Sequence, residues 1–366
     1  MKFTVQREAI LRPLQSLMGV VEKKHTMAVL ANVLLEIGSG VLRMTATDLE
    51  IELVVNVDVS GDAVAGGVTV PGRKLMDICR SLPDGCELKF IFDKGRVVVS
   101  SGKSRFVLSN LPAQDFPSIE ADIGKAGFSL LKPVLLGLLK KTYFSMAQQD
   151  ARYFLNGMLF CLQPGKLLLV ATDGHRLALS STSLAGSDVN AQVIVPRKAV
   201  LELMKLVSDD DSAIEVKLGE NHIRFSFDGV VFTSKLLDGS YPDYKRVLPD
   251  EAGNKFVADA SGLQQALSRA AILSNEKYRG VRVILDKDNL KLVANNPEQE
   301  EAQDELSVEY DGADLEVGFN VSYLLDILSA ISAEQVQLSI RDANSSARIS
   351  DPSDPESVYV VMPIRL

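Results

Sequence analysis

The sequence predicts an α+β protein built from three similar domains, and three observations carry that prediction. One strand-to-helix phrase recurs: Val68-Thr69-Val70-Pro71-Gly72-Arg73-Lys74-Leu75, then Val193-Ile194-Val195-Pro196-Arg197-Lys198-Ala199, and in weaker form Leu315-Glu316-Val317-Gly318-Phe319-Asn320-Val321-Ser322. Other phrases recur in the same order: Ala31-Asn32-Val33-Leu34-Leu35 with Leu155-Asn156-Gly157-Met158-Leu159, and Thr45-Ala46-Thr47-Asp48 with Val170-Ala171-Thr172-Asp173. The copies lie about 123 to 128 residues apart, an ordinary domain length and one third of the 366 residues. Polar, small-residue linkers at 120–127 and 249–254 then divide the chain into domains 1–125, 126–253 and 254–366.

The first domain opens with the strand Phe3-Thr4-Val5 and a helix over 7–20, whose Ile10, Leu14, Leu17 and Met18 share one face. Apolar runs at 33–37 and 41–44 flank Gly38-Ser39-Gly40, a hairpin signal. Thr47-Asp48 leads to a strand over 51–57, and the Val70 strand feeds a helix over 73–81. Pro83-Asp84-Gly85 makes a turn, and strands over 88–92, 97–100 and 105–109 follow. In the second domain a helix spans 132–147. Pro196, with its fixed φ and missing N–H, suits the first turn of a helix carrying Val200, Leu203, Met204 and Val207 on one face. Strands at Ile214, Ile223 and Val230 follow. The third domain has a helix over 261–279, strands over 281–285 and 290–295, a helix from Asn320 and a last strand over 358–361.

With 46% hydrophobic and 24% charged residues the chain is globular rather than disordered. No apolar run reaches the ~20 residues that span a bilayer, and the start reads as strand and helix rather than as a signal peptide. Cys79, Cys86 and Cys161 are odd in number and irregularly spaced, which suits reduced thiols in a cytoplasm. His25, His175 and His222 are scattered with no ligand spacing, so neither metal nor cofactor is expected.

The net charge of -9 argues against a nucleic-acid partner unless charge is segregated by face. The six helical windows hold 14 Lys or Arg against 5 Asp or Glu, a surplus of nine, so the rest must carry a net charge of -18 to reach -9. Helices gathered on one surface would then face a polyanion, with Arg73, Arg197 and Lys198 among the candidate phosphate contacts. Such binding is independent of base sequence and sensitive to salt. Helix axes arranged about 18–20 Å from the centre of a duplex trace a circle that takes roughly twelve helices. One chain supplies six, so two chains close a ring. Its ends would be Arg96, Lys103 and Arg105 with Ile78, Phe106 and Leu108 on the first domain. On the third they would be Glu300, Glu301 and Asp304 of the acidic run 298–305, with Ile272 and Leu273.

The chain resembles the bacterial DNA polymerase III beta subunits, the sliding clamps. The residues that carry the resemblance are Met1-Lys2-Phe3, Thr172-Asp173-Gly174-His175-Arg176-Leu177, Val195-Pro196-Arg197-Lys198, Tyr241-Pro242-Asp243-Tyr244, Asn295-Asn296-Pro297-Glu298-Gln299-Glu300, Gly318-Phe319-Asn320-Val321-Ser322-Tyr323 and the run from Val360 to Leu366. They span the whole chain. The resemblance implies the DNA clamp fold: a head-to-tail homodimer ring of six domains, helices lining the central hole and antiparallel sheets outside. It implies a non-catalytic processivity factor that encircles double-stranded DNA. Its implied partners are the polymerase III catalytic subunit, the clamp loader, and other polymerases and repair proteins that dock through short apolar peptide motifs.

The family's peptide pocket falls on Leu155, Thr172, Gly174, His175, Arg176, Leu177, Pro242, Arg246, Val247, Asn320, Tyr323, Ser346, Val360, Val361, Met362, Pro363, Ile364, Arg365 and Leu366. Apolar walls for Leu or Phe side chains with a few polar groups for the peptide backbone make physical sense of these types. Ile364 stands where Met is frequent, which alters pocket flexibility. The family's DNA contacts fall on Lys24, Arg73, Gln149, Tyr153 and Phe154. Lys24 replaces a common Arg and Phe154 a common Tyr, keeping a charge and a ring but losing a fork and a hydroxyl.

Two other signals are set aside. Asp173-Gly174-His175-Arg176 lacks a nucleophile elbow and its acid and base are sequence neighbours, unlike a catalytic triad. Gly102-Lys103-Ser104 has Val97 where a phosphate loop needs glycine, and reads as a hairpin turn. Thr47-Asp48 and Thr172-Asp173 recur with the domain repeat, so a structural turn is their expected role.

Overall fold

The computed structural model describes residues 1–21, 27–93, 95–119, 123, 124, 126–249 and 253–365. Lys24 and Leu366, expected at the DNA and peptide sites, lie outside the described residues. Each α-helix begins directly after a strand: α1 (Arg7–Leu17), α2 (Gly72–Ser81), α3 (Lys132–Thr142), α4 (Arg197–Leu206), α5 (Ala260–Ala271) and α6 (Val321–Ala330). The helices fall two to a sequence repeat, as expected. No helix among the described residues is long and apolar enough to cross a membrane.

The chain folds as two compact units, Met1–Pro133 with Leu201–Leu236, and Val134–Val200 with Leu237–Leu366. In the first, a five-stranded antiparallel sheet runs Ser60–Val64, Lys2–Gln6, Glu87–Asp93, Arg96–Ser101, Ser104–Leu108. An eight-stranded sheet runs Gly127–Leu131, Ala213–Leu218, His222–Phe227, Val230–Lys235, Ile51–Asp58, Val41–Thr47, Asn32–Gly38, Gly66–Pro71. Its middle seam pairs the second sequence repeat with the first, Phe232 opposite Leu53.

The second unit repeats this plan. Its eight-stranded sheet runs Ala191–Pro196, Gly157–Gln163, Lys166–Thr172, Arg176–Ser183, Asp354–Val361, Ala347–Asp351, Gln335–Ile340, Asn254–Asp259. The seam here pairs the second repeat with the third, Leu177 opposite Val360. A four-stranded sheet runs Glu301–Ser307, Asn289–Asn295, Gly280–Asp286, Leu315–Asn320. Leu263 and Leu267 of α5, with Leu324, Ile327 and Leu328 of α6, share one core with Val283, Leu292, Phe319 and Leu338 of these sheets. Edge-to-edge pairing satisfies backbone groups that a separate domain would leave open. The middle repeat is consequently divided between the two units, which the linker positions alone do not suggest.

Three helices end earlier than their apolar periodicity predicts. The helix expected over 132–147 stops at Thr142, whose hydroxyl bonds back to Leu138 O at 2.7 Å. The carbonyls of Tyr143, Phe144 and Met146 are then taken by the guanidinium groups of Arg176 and Arg197. The helix expected over 261–279 stops at Ala271; downstream the Asn275 side chain accepts from the backbone of Lys277 and Tyr278, closing a turn. The first helix stops at Leu17 rather than 20. The acidic run, expected as one end of a ring, forms an edge strand from Glu301 on, an element that the residue pattern does not predict. None of its residues is buried, so it carries no hydrophobic alternation to read. Gly102 turns a hairpin at φ +54 with Ser101 opposite Ser104, as expected.

Candidate functional site

The densest polar arrangement is the turn that joins strands Lys166–Thr172 and Arg176–Ser183. Thr172 Oγ1 donates to Arg176 O at 2.5 Å and accepts from Gly174 N at 3.1 Å. Asp173 Oδ1 accepts from the backbone N–H of His175 and Arg176 at 2.8 and 2.9 Å. Thr47-Asp48 closes the first-repeat turn with the same bonds: Thr47 Oγ1 to Ile51 O, and Glu50 and Ile51 N–H to Asp48 Oδ1. Both pairs are structural, as expected, and the second presents Gly174 and His175 at the surface.

Arg176 anchors what surrounds this turn. Its Nε reaches Asp173 Oδ2 at 3.1 Å, Nη1 reaches Asp326 of α6 at 2.5 Å, and Nη2 donates to Phe144 O at 2.5 Å. The guanidinium carbon lies 4.4 Å from the Tyr323 ring centroid and 5.5 Å from that of Phe144. Five interactions on one side chain make it a strut for the wall rather than a mobile charge. The Tyr241 hydroxyl oxygen accepts from the Thr172 N–H at 3.0 Å, and burial pushes its phenol well above the ordinary range, so it stays neutral. Leu177 and Val360 sit in a buried cluster with Leu159, Val170, Ile194 and Tyr244, against which Phe154 and Tyr241 pack.

The remaining residues of the expected peptide site are dispersed around this frame. Met362 N donates to His175 O at 2.8 Å, tying the C-terminal segment to the turn. Met362 also lines an open groove with Arg246, Val247 and Ser346, together with Leu248, Ser339 and Arg341. Pro242 lines a neighbouring depression with Tyr241 and Tyr244. Ile364 and Arg365 line another with Asn275, Tyr278 and Asn296, and Ile364 N donates to Gly318 O. Asn320 caps α6 by accepting from Ser322 N, and Pro363 is half-buried. Leu155 and Val361 are buried and back the wall. Asp326, Phe144 and Arg152 belong to this frame but escaped sequence reading, because no spacing signals a partner that only the fold brings near.

Of the candidate DNA contacts, Arg73 is exposed on α2 in the first unit. In the second unit Gln149 is exposed at φ +57, Tyr153 is 52% exposed, and the two rings of Tyr153 and Phe154 meet edge-on at 5.8 Å. Lys198 is half-buried on α4. The helix-charge count needs correction, since several of its cations are engaged within the chain. Lys132 is fully buried, held by Asp210 at 2.7 Å, by Asp228 and by Ser208 at 3.0 Å. Arg197 donates to Met146 O at 3.1 Å and Tyr143 O at 3.5 Å, and burial lowers its pKa. Arg7 bonds Cys79 O and Asp84, Lys141 pairs with Asp354, Arg269 with Asp304, and Arg279 donates to Ala271 O.

The candidate closure residues sit at two sheet edges. Ser104–Leu108 forms an edge of the five-stranded sheet, with Arg105 exposed, Phe106 half-buried and Leu108 buried; Arg96 and Lys103 are exposed on its neighbour and its turn. Ile78 is half-buried on α2. Glu301–Ser307 forms an edge of the four-stranded sheet, with Glu301 exposed, Asp304 held by Arg269, and Glu300 accepting from Asn296. Just past α5, Ile272 is 76% exposed and Leu273 half-buried.

Comparison with known proteins agrees along the whole chain. Models of the DNA polymerase III beta subunit match in order: the N-terminal domain at 1–120, the central domain at 130–243 and the C-terminal domain at 245–365. The beta sliding clamp of Pseudomonas putida is 51% identical over 367 residues, covering 100% of both chains. That of Escherichia coli K12 is 48% identical over 366 residues, again covering 100% of both. The crystal structure of the Pseudomonas aeruginosa polymerase III subunit beta superposes with a TM-score of 0.98 at 51% identity over 100% of both chains. The same organism's clamp bound to griselimycin gives 0.97 at 51% identity, also over 100% of both. With three consecutive domain matches and half its residues identical to full-length relatives, the chain belongs to the DNA polymerase III beta subunit family, the bacterial sliding clamps.

Proposed function

We propose that two copies of this chain close head to tail into a ring around duplex DNA and hold the replicative polymerase to it without any catalytic step of their own. The domains are taken as 1–125, 126–253 and 254–366. The observation that carries the ring is the pair of open sheet edges of opposite charge, Ser104–Leu108 with Lys103 and Arg105, and Glu301–Ser307 with the exposed Glu301; Asp304 of that edge is already paired with Arg269. A head-to-tail contact needs two different, complementary surfaces on one chain, and these edges supply them. Helices would line the hole, with Arg73, Lys198, Gln149 and Tyr153 offering a few contacts indifferent to base sequence. Few and nonspecific contacts permit sliding. Arg197 and Lys132 are removed from that lining, because their charges serve the fold.

The partner-peptide site is placed at the Gly174–His175 turn and the groove of Arg246, Val247, Ser346 and Met362. There, short apolar motifs of the polymerase III catalytic subunit, the clamp loader and repair proteins would dock in the cytoplasm. The griselimycin complex of the Pseudomonas aeruginosa relative supports a ligand-accepting surface in this family. Topological retention is the test. Loaded onto a nicked circle, the protein should stay bound in high salt and leave within seconds to minutes once the circle is cut. Retention unchanged by cutting would mean ordinary surface binding and would end the ring reading.

A further inference from the structure

One short loop touches both surfaces assigned above. Asn156 closes its base: its Nδ2 donates to Asp150 O and its Oδ1 accepts from Asp150 N, both at 2.9 Å. Inside the loop, the Asp150 carboxylate accepts from Arg152 N at 2.8 Å, Nε at 3.0 Å and Nη2 at 2.9 Å, using both oxygens. These hydrogen bonds hold the Asp150 carboxyl down to about 2, so the fork persists across physiological pH. The same Nη2 also donates to Asp173 O at 3.3 Å. Glycine at 174 makes that approach possible. A Cβ there would lie 3.0 Å from Arg152 Nη2 and 3.1 Å from Nη1, on a backbone at φ +87. On the loop's other side, the Tyr153 hydroxyl lies where a Cβ on Gly239 would come within 3.2 Å.

The geometry points to Arg152 as a positioning residue that couples DNA contact at Gln149 and Tyr153 to peptide seating at Gly174 and His175. The inference rests on the reading of those two surfaces given above. The guanidinium is held by the Asp150 carboxylate through Nε and Nη2, and the same Nη2 donates to the Asp173 carbonyl, so one group ties the loop to the turn. Movement of the 149–153 segment toward a phosphate therefore carries the Asp173 carbonyl and the Gly174 turn with it. The coupling must be reciprocal: whatever factor DNA imposes on peptide affinity, peptide imposes on DNA affinity. Arg152 is half exposed and its ion pair adds little to global stability. Asn156 holds the loop base independently, so a variant at Arg152 keeps the fold.

The experiment measures anisotropy of a short labelled synthetic peptide carrying Leu and Phe, bound to the full-length protein with and without a saturating duplex. In the wild type, duplex should shift the peptide Kd by about fivefold or more, and peptide should shift duplex affinity by the same factor. Arg152→Ala should bring that factor to one. Arg152→Lys should do the same, because it keeps the charge but not the fork. Gly174→Ala should also abolish it, with no further effect when added to Arg152→Ala. A merely structural Arg152 would change the peptide Kd equally with and without duplex. That result, or a wild type showing no shift, overturns the inference and leaves the clamp reading standing. Failure of peptide or duplex to bind the wild type at all would overturn both.

Discussion

Lys132 is where counting charge and placing charge diverge. In sequence it adds to a basic helix; in the fold its ammonium is sealed against Asp210, Asp228 and Ser208 at the start of α3. Burial opposes its charge, but the hydrogen bonds it donates to Asp210 and Asp228 outweigh that, and the group titrates above its ordinary value. The Lys132 hydrogen bond, with help from Ser208 and Ser212, pulls the Asp210 carboxyl far below the usual carboxylate range. The two signs set a window. A lowered carboxyl pKa stabilises above its unfolded value of about 4 and loses that contribution as pH falls through the folded value. A raised ammonium pKa stabilises below about 10 and loses that as pH rises through its folded value. Lys132→Met should lower the thermal midpoint by about 5 °C between roughly pH 5 and 9, the half-exposed carboxylates limiting the effect. The difference from wild type should shrink toward both extremes. Calorimetry across pH decides it, and a gap that does not vary with pH would contradict the pairing.

At the scale of elements, the pairing of Gly157–Gln163 with Ala191–Pro196 shows why one repeat carries glycine where another carries valine. Gly157 has an ordinary extended φ of -145, so conformational freedom is not the reason. A Cβ there would meet Val195 O at 2.7 Å, Ile194 Cγ2 at 2.8 Å and Leu237 Cδ1 at 2.9 Å. The Val195 oxygen is backbone, fixed by the pairing of Met158 with Val195, and cannot yield as a side-chain end can. Val33 stands at the matching place in the first repeat and is fully buried there. Gly157→Ala should destabilise by about 2 kcal/mol through overpacking, read as a lower urea midpoint at unchanged slope. A neutral result would mean that the strand pair breathes enough to admit a methyl group.

At the scale of the whole molecule, closure should depend on the apolar residues beside the acidic edge. Ile272 is largely exposed, as interface anchors are before assembly. Ile272→Ala with Leu273→Ala should convert a solution mass of two chains to one at micromolar concentration, and should abolish retention on circular DNA. Analytical ultracentrifugation gives the answer directly. A wild-type monomer would leave six helices, too few to enclose a duplex, and would remove the ring mechanism while leaving the three-domain fold.

The three-domain repeat, the helix starts, the Thr-Asp turns and the family were legible in the residues themselves. Each is written locally, as a proline that ends the strand just before a helix (Pro71 and Pro196, rather than within the helix's first turn), a side chain bonding its own turn, or an apolar face repeating at helical spacing. The tertiary structure alone decided where helices stop, since Arg176 and Arg197 reach across the fold to take the carbonyls that would have continued α3. It decided that Glu301–Ser307 is a strand, because an edge strand with no buried face leaves no periodic trace. It also decided which cations remain for a ligand, and that Arg152 meets Gly174. Sequence records what each residue prefers within a few neighbours. Which charge meets which carbonyl, and which edge stays open, depends on segments more than a hundred residues apart, such as Arg176 and Asp326.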